Sequence, residues 1–199
     1  KALHLEAAKL KFEFLNNAQA LIHGDLHTGS IFINQEHTYV FDPEFAFYGP
    51  MGYDIGNVIA NMFFAWCNGD ATIEDPAEKE KFCGWILDCI CEIVDKFIAK
   101  FKVAYAENVT DTMAKTEGFM EYYLGTILAD TAGVAGLETI RRTVGMANNK
   151  DVTSIADVEK RARAEKILIT LGKNYIMNRN SFTSGACYRK AIEEAIAKF

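Results

Sequence analysis

Between residues 21 and 57 the chain reads LIHGDLHTGSIFINQEHTYVFDPEFAFYGPMGYDIGN, and reactive side chains crowd two short stretches of it. The first holds His23, Asp25, His27 and Ser30; the second holds Asp42 and Glu44. Acids on two separate connections suit transfer of a phosphoryl group. That reaction is mostly positioning and charge neutralisation around a hydroxyl nucleophile and a metal-bound nucleotide. One carboxylate must face the hydroxyl and take its proton. Another must hold magnesium, which prefers oxygen ligands in near-octahedral geometry.

The elements that must position these groups are short. Apolar runs at 21–22 and 31–34 flank the first polar loop, and a third run at 38–41 follows a turn and ends on Asp42. Alternating β-branched and aromatic residues around a polar turn predict a hairpin, which returns Asp42 toward Asp25. The loop His23-Gly24-Asp25-Leu26-His27-Thr28-Gly29-Ser30 is a variant of the kinase pattern H-R-D-x-x-x-x-N, so Asp25 is the candidate base. Asp42 takes the place of the aspartate that opens D-F-G, with Glu44 two residues on. In extended backbone such residues project to one side, and Pro43 biases Asp42 away from helix, so both carboxylates are expected to reach one cation. Ser30 stands where protein kinases have a metal-binding Asn, which gives Glu44 a compensating part.

HGDLHTGS followed by DPEFAFYGPMGYDIG resembles the 5-methylthioribose kinase family, within the aminoglycoside phosphotransferase and choline kinase group. Glu138-Thr139-Ile140-Arg141-Arg142 extends the resemblance, because the family has an arginine pair on a late helix that contacts the sugar. The resemblance implies a mainly α, protein-kinase-like fold with a small β-hairpin. It implies ATP-dependent phosphorylation of the anomeric hydroxyl of 5-methylthioribose, a methionine-salvage step, with Mg2+ and ATP. Asp25 is then the base, Asp25, Arg141 and Arg142 bind substrate, and Asp42 with Glu44 holds the metal. His23, His27, Ser30 and Asp54 support the loop, and the assembly is a homodimer. For His27 the choice between loop support and substrate contact stays open, and Asp54 reads equally as a helix N-cap. Adjacent helical residues diverge by about 100°, so Arg141 and Arg142 are expected to serve different points. Rival readings are a phosphotransferase for choline, homoserine or an aminoglycoside, and a catalytically silent binding or dimerisation lobe. The arginine pair argues against cationic acceptors.

Composition sets outer bounds. A 199-residue chain with 50% hydrophobic and 24% charged residues suits one sizeable domain. A net charge of -6 argues against a general nucleic-acid or anionic-membrane surface. The longest apolar run, at 58–66, is interrupted by Asn61 and falls short of the roughly 20 residues of a membrane span. Cys67, Cys83, Cys89, Cys91 and Cys187 lack paired C-x-x-C spacing, which points to thiols in a reduced cytoplasmic setting.

Helical periodicity accounts for most of the remaining chain. Leu3, Ala7, Leu10, Phe14 and Ala18 mark an opening helix, Asp54 starts an apolar helix to about Trp66, and 70–76 is a polar connection. Phe82, Ile86, Ile90, Ile93, Phe97 and Phe101 form the longest stripe. Phe119, Tyr123 and Ile127 predict a helix ending near Ala132, with Gly133 and Gly136 as a joint before the arginine helix. Residues 46–52 and 148–154 read as irregular, and helices follow around Val158 to Tyr175 and over 184–198. There is no G-x-G-x-x-G, and Lys1, Lys9 and Lys11 lie on the opening helix instead of a sheet. Residues 1–199 are therefore expected to be the helical C-terminal lobe of a two-lobed kinase. The nucleotide-binding N-terminal lobe is expected to be absent from these residues, and the chain alone should have little or no activity.

Overall fold

Four very short strands sit between one helix and a helical bundle. The structure, a computed structural model, describes residues 1–199. In chain order the elements are α1 (Ala2–Asn16), β1 (Ala20–Ile22), β2 (Ile31–Ile33), β3 (Thr38–Val40), β4 (Phe47–Gly49), α2 (Gly52–Thr72), α3 (Pro76–Asn108), α4 (Phe119–Val144), α5 (Lys150–Thr153), α6 (Val158–Met177) and α7 (Gly185–Ile196). The expected hairpin is β2–β3, with Ile31 opposite Val40, Phe32 opposite Tyr39 and Ile33 opposite Thr38. A second antiparallel pair joins β1 to β4, placing Ile22 opposite Phe47. This corrects the irregular reading of residues 46–52: three-residue strands are too short to show a period of two.

Helix boundaries follow local chemistry where caps exist. Asp75 accepts a hydrogen bond from Glu78 N at 2.8 Å and is followed by Pro76, which starts α3 without wasting a backbone donor. Asn149 likewise accepts from Asp151 N at 2.8 Å, and so a single helical turn, α5, forms where the sequence reads as loop.

Helix α4 runs unbroken through Gly133 and Gly136, against the expected joint. A Cβ at Gly133 would lie 2.4 Å from Leu10 Cδ2, and one at Gly136 would lie 2.6 Å from the Gly172 carbonyl oxygen. The two glycines mark where α1 and α6 press against α4. Close packing selected them, and the intrahelical hydrogen bonds tolerate them at about 1 kcal/mol each.

The hydrophobic core of 28 buried residues begins at Ile59 and ends at Ala195. It is built by α2, α3, α4, α6 and α7, with Val152 and Ile155 from the α5 region. No helix is long and apolar enough to cross a membrane. All five cysteines are free thiols, with Cys67 and Cys83 buried.

Candidate active site

Strand β1 delivers the chain to His23, and α2 catches it there. The Asp54 carboxylate accepts from His23 N at 2.6 Å and from Gly24 N at 3.0 Å. Helix α2 already begins at Gly52, so Asp54 lies within the first turn and spends its oxygens on the loop instead of capping its own helix. Bonds from N–H donors to a charged acceptor are stronger than neutral ones. Gly24 has φ 85°, and a Cβ there would stand 2.2 Å from the Phe45 carbonyl oxygen. Only glycine fits between those two backbones.

Both loop histidines are used internally. His23 Nε2 bonds the Phe41 carbonyl at 2.9 Å, while Asp25 N donates to Nδ1 at 3.4 Å. A carbonyl cannot donate, so the tautomer serving both contacts carries its hydrogen on Nε2. His27 accepts from Gly29 N at 3.0 Å through Nδ1, and its Nε2 lies 3.3 Å from Ser30 Oγ. It caps the short 3-10 turn at Thr28–Ser30. Ser30 is buried beneath it.

The segment carrying Asp42 and Glu44 is pinned against the loop carrying Asp25 at two points, His23 on Phe41 and Gly24 on Phe45. Asp25 is half-buried, whereas Asp42 and Glu44 are exposed. Asp42 has φ 67°, the only non-glycine residue with positive φ. This overturns the extended backbone expected there, and with it the argument that Asp42 and Glu44 project to one side. Pro43 does exclude helix, but the chain must bend sharply into the turn closed by Ala46 N and the Pro43 carbonyl at 3.0 Å. Aspartate is among the few L-residues that enter the left-handed region readily. No three His, Cys, Asp or Glu side chains gather to form an all-protein metal cage. Magnesium is usually held by one or two carboxylates with water and substrate phosphate completing the shell. Two exposed hard-oxygen donors fit that mode.

Arg141 and Arg142 lie in the last turn of α4 and share one carboxylate. Arg141 donates to Glu138 Oε2 through Nε at 2.8 Å and Nη2 at 2.6 Å, and Arg142 Nε donates to Oε1 at 2.8 Å. Spacings of three and four residues both reach the same carboxylate on an undistorted helix, each arginine taking a different oxygen. Glu138 is 6% exposed, while the arginine side chains are 53% and 27% exposed.

Arg141 and Glu138 line a cavity of about 240 Å3 between α1, α2 and α4, together with Tyr53, Asn57 and Phe14. Phe14 packs on Tyr53 at 5.0 Å and on Phe47 at 5.2 Å. The Tyr53 phenol is pushed up, chiefly by burial, and is opposed by its hydrogen bond with Asn57 and by the Arg141 charge; the charges of Glu138 and Asp25 add to the rise. One hydroxyl therefore feels the candidate base and the arginine anchor together. Sequence reasoning passed over Tyr53, Asn57 and the Glu138 carboxylate. The last had a visible signal, since a glutamate three and four residues before two arginines is an ion-pair spacing.

Residues 2–85 match the model of the phosphotransferase enzyme family, which covers α1, all four strands, α2 and the start of α3. The mainly helical fold with small antiparallel sheets is of the protein-kinase-like type, and over that stretch the chain is similar to this family. It is similar to methylthioribose kinase of Geobacillus sp. (strain WCH70), 41% identical over 98% of this chain and 46% of the relative. It is also similar to methylthioribose kinase 1 of Oryza sativa subsp. japonica, 36% identical over 92% of this chain and 45% of the relative. The chain thus spans about half the length of the curated relatives it matches.

Proposed function

We propose that this chain is the catalytic and sugar-binding lobe of a kinase that transfers the ATP γ-phosphoryl group to the anomeric hydroxyl of 5-methylthioribose. The observation that carries the reading is the polar anchoring of the Asp25 loop, with Asp54 holding His23 N and Gly24 N and His23 holding the Phe41 carbonyl next to Asp42. The similarity to methylthioribose kinases supports the choice of acceptor.

In this reading Asp25 takes the proton of the anomeric hydroxyl as the phosphoryl group arrives. Asp54, His23, His27 and Ser30 fix the loop, so that little reorganisation remains at the moment of reaction. Asp42 and Glu44 hold Mg2+, which when bound neutralises phosphate charge. Arg141 and Arg142 bind sugar oxygens. A nucleotide-binding lobe outside this sequence supplies the other face of the ATP site, and the chain by itself has little activity. The free thiols support a reduced, cytoplasmic setting; the family resemblance supports a homodimer.

The test is magnesium-dependent ADP release with 5-methylthioribose, using the polypeptide at the length of its relatives. Asp25→Asn, nearly isosteric, should lower turnover about 10³-fold with the fold intact, within the range expected of a general base. Near-normal turnover by that variant would remove Asp25 from its role. Turnover with another acceptor only would keep the chemistry and move the substrate.

A further inference from the structure

Glu138 is the charged residue of this site with no part yet in recognition. Its carboxylate is 6% exposed and receives three N–H groups from two arginines. Each oxygen serves a different partner: Oε2 holds Nε and Nη2 of Arg141, and Oε1 holds Nε of Arg142. Arg141 Nη1 and both Nη atoms of Arg142 remain off the carboxylate. These outer nitrogens are the ones that a guanidinium offers in pairs to adjacent oxygens.

Anchoring through Nε matters because a free arginine side chain loses rotamer freedom when it is immobilised. Here most of that ordering is done within the folded chain, before any ligand arrives. Charge is set at the same time. Arg141 and Lys11 against the Glu138 carboxylate leave the cavity lining net positive, with Arg142 held beside it on the same carboxylate, which disfavours cationic acceptors.

Resting on the phosphotransferase reading above, we propose that Glu138 is the positioning residue that makes Arg141 and Arg142 one preoriented fork for the adjacent oxygens of a neutral sugar. Glu138 itself does not touch the substrate. It acts through the two guanidiniums.

The experiment compares wild-type enzyme, at the length of its relatives, with Glu138→Gln. Gln keeps the size of the side chain but loses the charge and one of the two acceptors. The expected result is a KM for 5-methylthioribose raised about tenfold, the loss of roughly one charge-assisted bond, with the KM for ATP unchanged. Inhibition by inorganic phosphate should tighten, because the fork gains a positive charge. A purely structural role would lower kcat with the active fraction and leave both KM values in place, and that outcome overturns the proposal. Absence of wild-type turnover with this sugar would instead bring down the reading on which it rests. Should Glu138→Gln fail to fold, arginine side-chain NMR of the wild type decides: both Nε–H signals should shift with sugar while staying slow to exchange. Signals indifferent to sugar overturn the proposal.

Discussion

None of the 28 core residues precedes Ile59, whereas Asp25, Asp42 and Glu44 all lie in the segment between α1 and α2. The two regions are held by different forces. In the bundle, α2 crosses α4 and α4 crosses α6 through interdigitated apolar side chains and glycine contacts. In the catalytic segment the strands are three residues long, and Phe32, Ile33, Tyr39 and Val40 are more than half exposed. Beside the buried Ile22 and the ring contacts Phe14–Phe47 and Phe32–Phe41, what fixes that segment is a handful of polar hooks: Asp54 on His23 and Gly24, His23 on Phe41, and Gln19 on Met51 N at 3.0 Å. Stability and geometry are thus entrusted to separate parts of the chain. Disturbing one should leave the other largely intact.

The largest effect expected from this division is on stability alone. Leu171 on α6 is fully buried in the core, and Leu171→Ala should cost about 2–5 kcal/mol, since the emptied volume collapses only in part. Urea unfolding measures the loss. Substrate KM values, taken where the variant is still folded, should hold. A KM change out of proportion to the stability change would mean that the core tunes the site directly and would break the comparison.

Asp54→Ala should show the opposite signature. It releases two loop N–H groups at the very point where α2 grips His23 and Gly24. Both donors can turn to water, so unfolding free energy should fall by only about 1–2 kcal/mol. Turnover should fall about a hundredfold, because a displacement of about 1 Å at a positioned base costs that much. Equal losses from Asp54→Ala and Leu171→Ala in denaturant would show the catalytic segment to be part of the cooperative core.

The same division explains what was legible in the sequence. Apolar stripes such as Phe82, Ile86 and Ile90 repeat over many turns, and so the bundle helices were readable from period alone. The β2–β3 hairpin was readable because its turn is polar and its strands are adjacent in sequence. Strand β4 pairs with β1 from across the whole catalytic segment, a long-range choice that three residues cannot announce. Gly133 and Gly136 read as breakers because their purpose, the approach of α1 and α6, belongs to tertiary packing. Asp42 was read as extended from its proline neighbour, yet the turn that follows forces it to positive φ. The site residues were legible as types in a pattern; the hooks between them were not read, although the spacing of Glu138 from the two arginines carried a signal for one of them.

One polar cluster lies on the bundle side, and it sharpens the contrast most finely. Asp130, on α4, is 4% exposed. Its contacts are long, 3.4 Å from both Arg179 Nη1 and Asn17 Nδ2, because Arg179 gives its better bonds to Glu13. Burial first, and then the neighbouring Glu13 charge, push the Asp130 carboxyl up to about 6, against the opposing pull of Asn17 and Arg179. The folded chain therefore holds this proton more tightly than the unfolded chain does. Such a group contributes stability below about pH 4, and the contribution is lost as pH rises through about 6. Asp130→Asn removes the titration. Across that window the wild type should lose about 2 kcal/mol relative to the variant. Denaturation of both proteins at several pH values between 4 and 7 measures the difference. Parallel curves would mean that Arg179 keeps Asp130 charged throughout, and that even the bundle relies on a polar hook of the kind that holds the catalytic loop.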